Sequence, residues 1–192
     1  VTCLAPLVWV FISSFKKNNE FLTNPWGLPE RWMFINYAET WQEGHFNIYM
    51  LNSVFYSVVS VSAGLLLSAM ASFAIVRLNL RGANLILLYF VIGIMIPIPS
   101  LILPVYLLMS DLGLLNTRIA ILLVYTVFSF PIAIALLTAF MRSIPRELEE
   151  SAMMDGAGLV RIFTNITLPL SMPAIATAAI LKFLTAWNEF IF

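Results

Sequence analysis

Residue types that build common active sites are scarce in this sequence. It holds one cysteine, Cys3, and one histidine, His45, and only 10% of its residues are charged, with a formal net charge of zero. A lone cysteine excludes an intrachain disulfide framework, and no Cys/His cluster is present to hold a metal ion. The balanced charge offers no basic face for nucleic acid. We therefore expect no metal, no cofactor and no nucleic-acid partner.

The sequence also lacks the motifs of common hydrolases. No GxxxxGK[ST] pattern occurs, so no phosphate-cradling loop is indicated and any ATP hydrolysis would belong to a separate subunit. Several serines at positions 57–72 could in principle act as nucleophiles. No serine or histidine within the apolar runs, however, offers the paired base that a serine nucleophile needs. We predict that the chain is not an enzyme.

Long uncharged runs dominate what is present. The chain is 61% hydrophobic with a mean hydropathy of +0.93, well above the values of soluble domains. These runs predict an all-α, polytopic membrane protein with about five spans, the first and last truncated, at residues 1–15, 54–76, 82–110, 119–141 and 170–192. Because the chain opens and stops inside apolar runs, we expect it to be a fragment.

Residues 16–52 form a polar segment rich in aromatic side chains, among them Trp26, Trp32 and Trp41. Aromatic rings with one polar edge favour the interface between bilayer and water. We expect this segment to fold back on the membrane surface as a loop and not as a separate domain, so that residues 1–192 make up a single transmembrane domain.

Small residues recur every three or four positions along the span 54–76 and its first flank. They are Ser53, Ser57, Ser60, Gly64, Ser68 and Ser72. A stripe of this kind favours close packing against a neighbouring helix, and the alternative is a face that lines a path for solute.

Three prolines, Pro97, Pro99 and Pro104, interrupt the uncharged run 82–110. Each removes a backbone donor and clashes with the preceding turn, so the helix must bend or unwind there. Freed carbonyls at that depth are tolerated only where protein or water covers them. The bend is therefore a candidate wall of a transport path, and a kink that serves packing alone is the alternative.

Arginines are unevenly distributed over the short loops. Loops 77–81 and 142–169 hold two and three arginines, whereas loop 111–118 holds one. Because basic residues are enriched in cytoplasmic loops, the first two loops are predicted to be cytoplasmic and the third external.

The stretch 145–169 is the longest polar interruption in the second half of the chain. Pro145 and Glu147 are typical of a first helical turn, so a helix over residues 145–154 is predicted. Gly156 and Gly158 would each cost about 1 kcal/mol inside a helix, so a bend follows. The apolar spacing then predicts a second helix, carried by Leu159, Ile162, Phe163, Ile166 and Leu170.

The same stretch carries a family motif. The match is in register at Glu150, Ser151, Ala152, Gly156, Ile166, Leu168 and Pro169. It resembles the cytoplasmic EAA loop of the membrane subunits of binding-protein-dependent ABC importers, with Ser151 where that family usually has alanine. The resemblance implies a two-helix coupling loop within residues 142–169 that docks into a groove on an ATPase subunit. The implied coupling residues are Glu150, Ser151, Ala152, Asp155, Gly156 and Gly158.

The physical requirements of docking agree with this role. Small side chains at Ser151 and Ala152 would let two backbones approach closely. Fixed charges around them would set the register, and they are supplied by Arg146, Glu147, Glu149 and Glu150. The alternative is a solvated amphipathic linker without a partner.

Other segments resemble sugar-type permeases of the maltose-transporter kind, namely EFLTNPWGLPERW, NYAETW, LGLLNT and TAWNEF. This resemblance implies a permease subunit, in the bacterial or archaeal cytoplasmic membrane and surrounded by its lipid, that couples closure of ATP-binding cassette ATPase subunits to alternating access. The implied partners are those ATPases, a second permease, homologous or identical, and an extracytoplasmic solute-binding protein. Sugars or related small polar solutes are the implied cargo.

Three polar residues fall in the last predicted span. Lys182 lies about 12 residues, or roughly 18 Å of helix, beyond Leu170 and so near mid-bilayer. A lysine there costs on the order of 3 kcal/mol unless it meets water or a partner. Lining a translocation path, pairing with another helix and contacting the partner permease remain open for it. Asn188 and Glu189 are further candidates for the path, with helix packing as the alternative.

A secondary transporter driven by an ion gradient is the alternative function. Such a transporter would be expected to carry several acids within its spans, and only Glu189 qualifies here. It would also leave the coupling motif without a purpose, so the ABC permease is the preferred interpretation.

Overall fold

The computed structural model describes residues 4–189 and contains no strand in that part of the chain, which confirms the all-α prediction. The chain divides into two compact units after Asn52. Cys3 and the outermost ends of the first and last predicted spans lie outside the described residues.

The α-helices of the described part are α1 (Ala5–Ser13), α2 (Asn18–Thr23), α3 (Ile35–Glu43), α4 (Phe46–Arg77), α5 (Ala83–Ile92), α6 (Ile102–Asp111), α7 (Arg118–Ser143), α8 (Glu147–Met154), α9 (Leu159–Ile162), α10 (Leu168–Leu170) and α11 (Met172–Trp187). Two 3₁₀ turns, Gly93–Met95 and Ile98–Leu101, lie between α5 and α6, and a π-helical turn, Phe163–Thr167, joins α9 to α10.

The first unit has a small aromatic core of its own. Phe15 is buried, and its ring centroid lies 5.1, 5.1 and 5.3 Å from those of Trp32, Phe34 and Tyr37. Lys16 is buried as well, and its Nζ donates to the carbonyl of Asn24 at 2.7 Å. The segment predicted as a polar loop, residues 16–52, thus contains α2 and α3, and aromatic packing holds them and their connections together. Its place at a membrane surface and its membership in one transmembrane domain stay predictions.

In the second unit, the small-residue stripe of α4 packs against α7. Ser57, Ser60, Gly64, Ser68 and Ser72 are all buried, whereas Ser53 is exposed. Ser72 Oγ donates to the carbonyl of Ile134 on α7 at 3.3 Å. At Gly64 the helices approach so closely that an added Cβ would overlap Ser129 Oγ and would lie 3.3 Å from the carbonyl oxygen of Thr126. The packing prediction is confirmed for the stripe beyond Ser53.

Replacing Gly64 with leucine should destabilise the contact between α4 and α7. Rotation of the Ser129 hydroxyl can make room for a methyl group, but a larger side chain meets the backbone carbonyl of Thr126. Overpacking of this kind costs about 1–3 kcal/mol, so we expect a lower midpoint of thermal unfolding in detergent. Ser62→Leu on the exposed side of the same helix is the control. Equal midpoints for the two variants would contradict the close approach.

The proline-rich segment breaks the next span, as predicted. Ile96 and Pro97 have extended backbones, with φ/ψ of −80°/118° and −68°/125°, and the helical pieces Ala83–Met95 and Ile98–Asp111 meet at 99°. Pro131, by contrast, lies inside a continuous α7. A Cβ on Gly93 would lie 3.1 Å from Pro131 Cγ, so the first piece ends in close contact with α7.

Two helices of the described part, α4 and α7, are long and apolar enough to cross a membrane, and there are up to four spans if each bent pair counts as one. The second bent pair is Leu159–Leu170 with Met172–Trp187, which meet at 71°. Helix α1 lies where the partial first span is predicted, but its 9 residues are too few to cross a bilayer.

The core of the second unit joins α4, α7, α9 and α11. Its buried apolar side chains include Ala69 on α4, Leu137 and Met141 on α7, Ile162 on α9 and Ala178 on α11. The exposed side of these helices is also strongly apolar, as expected for a protein in lipid, where outward-facing side chains meet hydrocarbon and not water. Helix α8 packs against this core through Ala152.

Candidate functional site

A helical hairpin projects between α7 and α11, and its turn has the geometry predicted from the two glycines. The amide of Ala157 donates to the carbonyl of Ala152 at 2.9 Å, and the amide of Gly156 donates to that of Met153 at 3.0 Å. This pair of bonds is the Schellman motif, which needs a left-handed residue after the helix, and Gly156 supplies it with φ of +80°. Gly158 is extended, with φ −78° and ψ 167°, and directly precedes α9.

The hairpin differs from its prediction in two details of helix geometry. Helix α8 begins at Glu147, so Pro145 precedes the first turn and does not belong to it. The second helix is α-helical only over its first turn and continues as the π-helical turn Phe163–Thr167. Such turns are typical of functional sites, and no residue pattern in the sequence indicates this one.

The hairpin presents most of the predicted coupling residues to solvent. Glu150, Ser151, Asp155, Gly156 and Gly158 are exposed, and a side chain added at either glycine would meet no atom within 4 Å. Ala152 is different, because it is half-buried and packs against the core below α8. Ser151 therefore offers a small exposed contact, whereas the small size of Ala152 lets α8 lie close to its own bundle.

Glu149 also departs from its expected role. We expected it to be one of the exposed charges that fix docking, but it is 4% exposed, and its carboxylate lies under the hairpin. Its Oε1 accepts from Arg77 Nε at 2.8 Å and from Thr167 Oγ1 at 3.0 Å. The expectation was wrong because a charged residue in a polar stretch can face inward once a partner neutralises it.

Arg77 is the residue at this site that the sequence did not reveal. Its Nη2 donates to the carbonyls of Met141 and Ile144 at 3.1 and 3.0 Å, at the end of α7. One signal could have indicated the arrangement: Glu149 and Ala152 are three positions apart and so share a helical face, and alanine there favours the packed side.

A second candidate site is a cavity of about 290 Å³ beside the broken span. Its wall combines the bend residues Gly93, Ile96 and Ile98 with Lys182 and Glu189 of the last span. The structure thus brings together the proline bend and two of the three polar residues predicted for the path. Asn188 does not line this cavity; it is exposed, and its Nδ2 donates to the carbonyl of Leu184 at 2.8 Å.

Lys182 is the most buried of the three polar candidates, with 7% of its surface exposed. Its Nζ donates to the carbonyl of Phe128 on α7 at 3.3 Å. Lysine therefore meets a polar group inside the bundle, and its charged end lies at the cavity.

Comparison with known proteins agrees with these features. Residues 60–192 match the family described as "Binding-protein-dependent transport system inner membrane component". This match includes α7, the exposed hairpin and α11, together with most of α4 and the broken span.

Similar curated proteins are permeases of uptake systems. The diacetylchitobiose uptake system permease protein NgcG of Streptomyces coelicolor is 37% identical over 191 residues, which cover 100% of this chain and 63% of that protein. The sulfoquinovosyl glycerol transport system permease protein SmoH of Agrobacterium fabrum is 34% identical over 193 residues, with coverages of 100% and 67%. The trehalose transport system permease protein SugB of Mycobacterium tuberculosis is 33% identical over 188 residues, with coverages of 98% and 68%.

The chain thus spans 63% of the length of NgcG and 67% of that of SmoH. These relatives are named as transport permeases and not as enzymes, in agreement with a non-catalytic, multi-pass membrane subunit, and they give no support to an ion-gradient transporter. The matched family covers well over half of the chain, from the buried stripe of α4 onwards. The chain belongs to the family of inner membrane components of binding-protein-dependent transport systems.

Proposed function

We propose that this chain is a transmembrane permease subunit of an ATP-driven importer for sugars or related small polar solutes. The observation that carries the proposal is the exposed α8 hairpin, which projects from a packed helical bundle and presents acidic and small side chains at its surface. The names of the similar permeases, which refer to diacetylchitobiose, sulfoquinovosyl glycerol and trehalose, support the sugar class.

The proposed partner of the hairpin is an ATP-binding cassette ATPase subunit, which hydrolyses ATP on the cytoplasmic side. Glu150, Ser151, Asp155 and Gly156 would face the groove of this partner, because they are exposed on or just after α8. Ala152 would act from the packed side by bringing α8 close to the bundle, and the exposed Gly158 would start the return to α9. Closure of the ATPase would then push on a helix that is firmly attached to the bundle.

The proposed path for solute passes the cavity at the broken span. The bend between Ala83–Met95 and Ile98–Asp111 removes two residues from helical geometry, and the cavity places Lys182 and Glu189 opposite it. Asn188, which is exposed at the end of α11, would contribute from outside this cavity. A second permease, homologous or identical, would complete the path, and an extracytoplasmic binding protein would deliver the solute to it from outside the inner membrane.

Cysteine labelling tests both the sidedness and the docking. In a Cys3→Ser background, which has no other cysteine, Ser151→Cys is placed on α8 and Leu112→Cys on the loop predicted to be external; both native side chains are exposed. In intact cells whose outer membrane has been removed or is absent, an impermeant maleimide should label position 112. It should label position 151 only after the cytoplasmic membrane is permeabilised. Labelling of position 151 from outside would contradict the proposal.

The same Ser151→Cys variant can carry a photoactivatable maleimide. On illumination of membranes it should form an adduct whose protein partner, identified by mass spectrometry, contains an ATP-binding cassette. The Leu112→Cys variant is the matched control and should give no such adduct. An adduct at position 151 that contains only lipid would count against docking to an ATPase.

A further inference from the structure

The exposed hairpin is attached to the bundle by a buried ion pair. Glu149 is buried under α8, although its neighbours Glu147 and Glu150 are exposed on the same helix. In the pair with Arg77 the two side chains are 6% and 5% exposed, and Arg77 Nε lies 2.8 Å from Glu149 Oε1. A carboxylate this deeply buried is not available to a docking partner, so its role must lie within the chain.

Arg77 connects α8 to two other helices at once. It is the last residue of α4, and its guanidinium donates to Glu149 of α8 and to the carbonyls of Met141 and Ile144 at the end of α7. The last carbonyls of a helix have no amide partner within it, and a guanidinium has several donors in a fixed plane. Arg77 therefore binds the carboxylate of Glu149 and the carbonyls at the end of α7 with one rigid group.

A second arginine joins α8 to α4 in the opposite direction, with the donor on α8 and the acceptor on α4. Arg146, at the start of α8, donates from its Nη2 to the carbonyl of Val76 on α4 at 3.3 Å. Helices α4 and α8 thus exchange contacts in both directions, although 72 positions separate Arg77 from Glu149 in sequence. Thr167 adds a fourth element, because its buried hydroxyl donates to Glu149 at the end of the π-helical turn.

We propose that the Arg77–Glu149 ion pair transmits the movement of α8 to α4, so that Glu149 is a positioning residue and not a docking residue. This proposal rests on the proposed function, in which an ATPase subunit moves α8. Helix α8 is joined covalently only to α7 and α9, and the ion pair makes α4 move with them as one body. Without it, α8 remains exposed and able to dock, and the single 3.3 Å hydrogen bond from the exposed Arg146 to Val76 is too weak a link for the movement of α8 to reach α4.

Reporter labels on the two helices test this transmission. In the Cys3→Ser background, a spin label at Met154→Cys reports on α8, where Met154 is 88% exposed, and a label at Leu78→Cys reports on the end of α4, where Leu78 is 39% exposed. The chain is reconstituted in vesicles with its ATPase subunits, second permease and binding protein. In the otherwise native chain, trapping with ATP and vanadate should change the mobility of both labels.

With Glu149→Gln, the label at position 154 should still respond to ATP and the label at position 78 should not. Stimulation of ATP hydrolysis by the loaded binding protein should fall by at least about fivefold, the lower end of the coupling usual between linked sites. A purely structural role would alter both labels or neither. Asp111→Asn, an exposed carboxylate-to-amide change at the end of α6, is the control and should leave both responses intact.

A double variant, Arg77→Met with Glu149→Leu, keeps the test decisive where the single variant fails to fold. Replacing both charges removes the unpaired buried ion, and apolar pairs of similar volume are generally tolerated. This variant should retain its ATPase subunit and lose the response at position 78. If the label at position 78 still responds in the double variant, the proposal is overturned. If the otherwise native chain neither binds an ATPase subunit nor shows a response at position 154, the proposed function itself is overturned.

Discussion

Replacing Gly156 with valine is expected to lower solute uptake about 5- to 30-fold while the protein still inserts into the membrane. Gly156 has φ of +80°, in the left-handed region, and closes the Schellman motif at the end of α8. An L-residue in this region costs roughly 1–2 kcal/mol, and a β-branched one more, so the turn should reorganise and redirect α8. A shift of that size changes a conformational equilibrium about 5- to 30-fold, and uptake of radiolabelled sugar into vesicles would measure it.

Two variants separate backbone strain from loss of space. Asparagine tolerates the left-handed conformation, so Gly156→Asn should keep most of the uptake. Gly158 has an extended backbone and open space around it, so Gly158→Ala should be almost neutral. If Gly156→Val transported as well as Gly156→Asn, the geometry of this turn would not be needed for coupling.

The hairpin was predictable because its determinants are local. A proline, an acidic first turn, two glycines and an apolar repeat follow one another within the stretch 145–169, and each acts on neighbouring backbone atoms. The break at Ile96 and Pro97 was predictable for the same reason, since a missing amide hydrogen disrupts a helix wherever that helix lies. The small-residue stripe on α4 predicted a close neighbour, although it could not indicate that the neighbour is α7.

The buried ion pair was not predictable, because its partners are brought together by the tertiary fold. In sequence, Glu149 is one of several acids in a polar stretch and Arg77 is one of two arginines in a short loop. Only the packing of α4 beside α7 brings the arginine to the end of α7, under α8. The same limit applies to residues 16–52, where the aromatic content predicted a membrane interface but did not reveal that the rings gather around Phe15.

The cavity shows how local and tertiary information combine. The bend at Pro97 and the mid-span position of Lys182 were both visible in the sequence, but not their meeting in one cavity. Of the polar residues near the end of the described chain, Glu189 lines that cavity and Asn188 does not, although the two are adjacent. Asn188 is the C-cap of α11 and Glu189 follows it, so the fold separates what the sequence groups together.

Replacing Lys182 with methionine is expected to lower solute uptake by about tenfold or more, equivalent to at least ~1.4 kcal/mol on the transport barrier. Methionine keeps the length and apolar stem of lysine but removes the charge that Nζ brings to the cavity. Burial of a lysine in a membrane span costs on the order of 3 kcal/mol, so the variant should unfold at the same temperature as the native chain or a higher one. Uptake at saturating and limiting sugar, together with a thermal melt in detergent, would measure both effects.

Thr185→Val is the matched control for this charge effect. Thr185 lines the same cavity, but its hydroxyl donates to the carbonyl of Leu181 within its own helix, and valine has nearly the same shape. Uptake by that variant should therefore stay close to the native level, and Lys182→Arg, which keeps a cation, should lose less than Lys182→Met. Native uptake by Lys182→Met, with a raised melting temperature, would make Lys182 a costly packing residue and would remove this cavity from the proposed path.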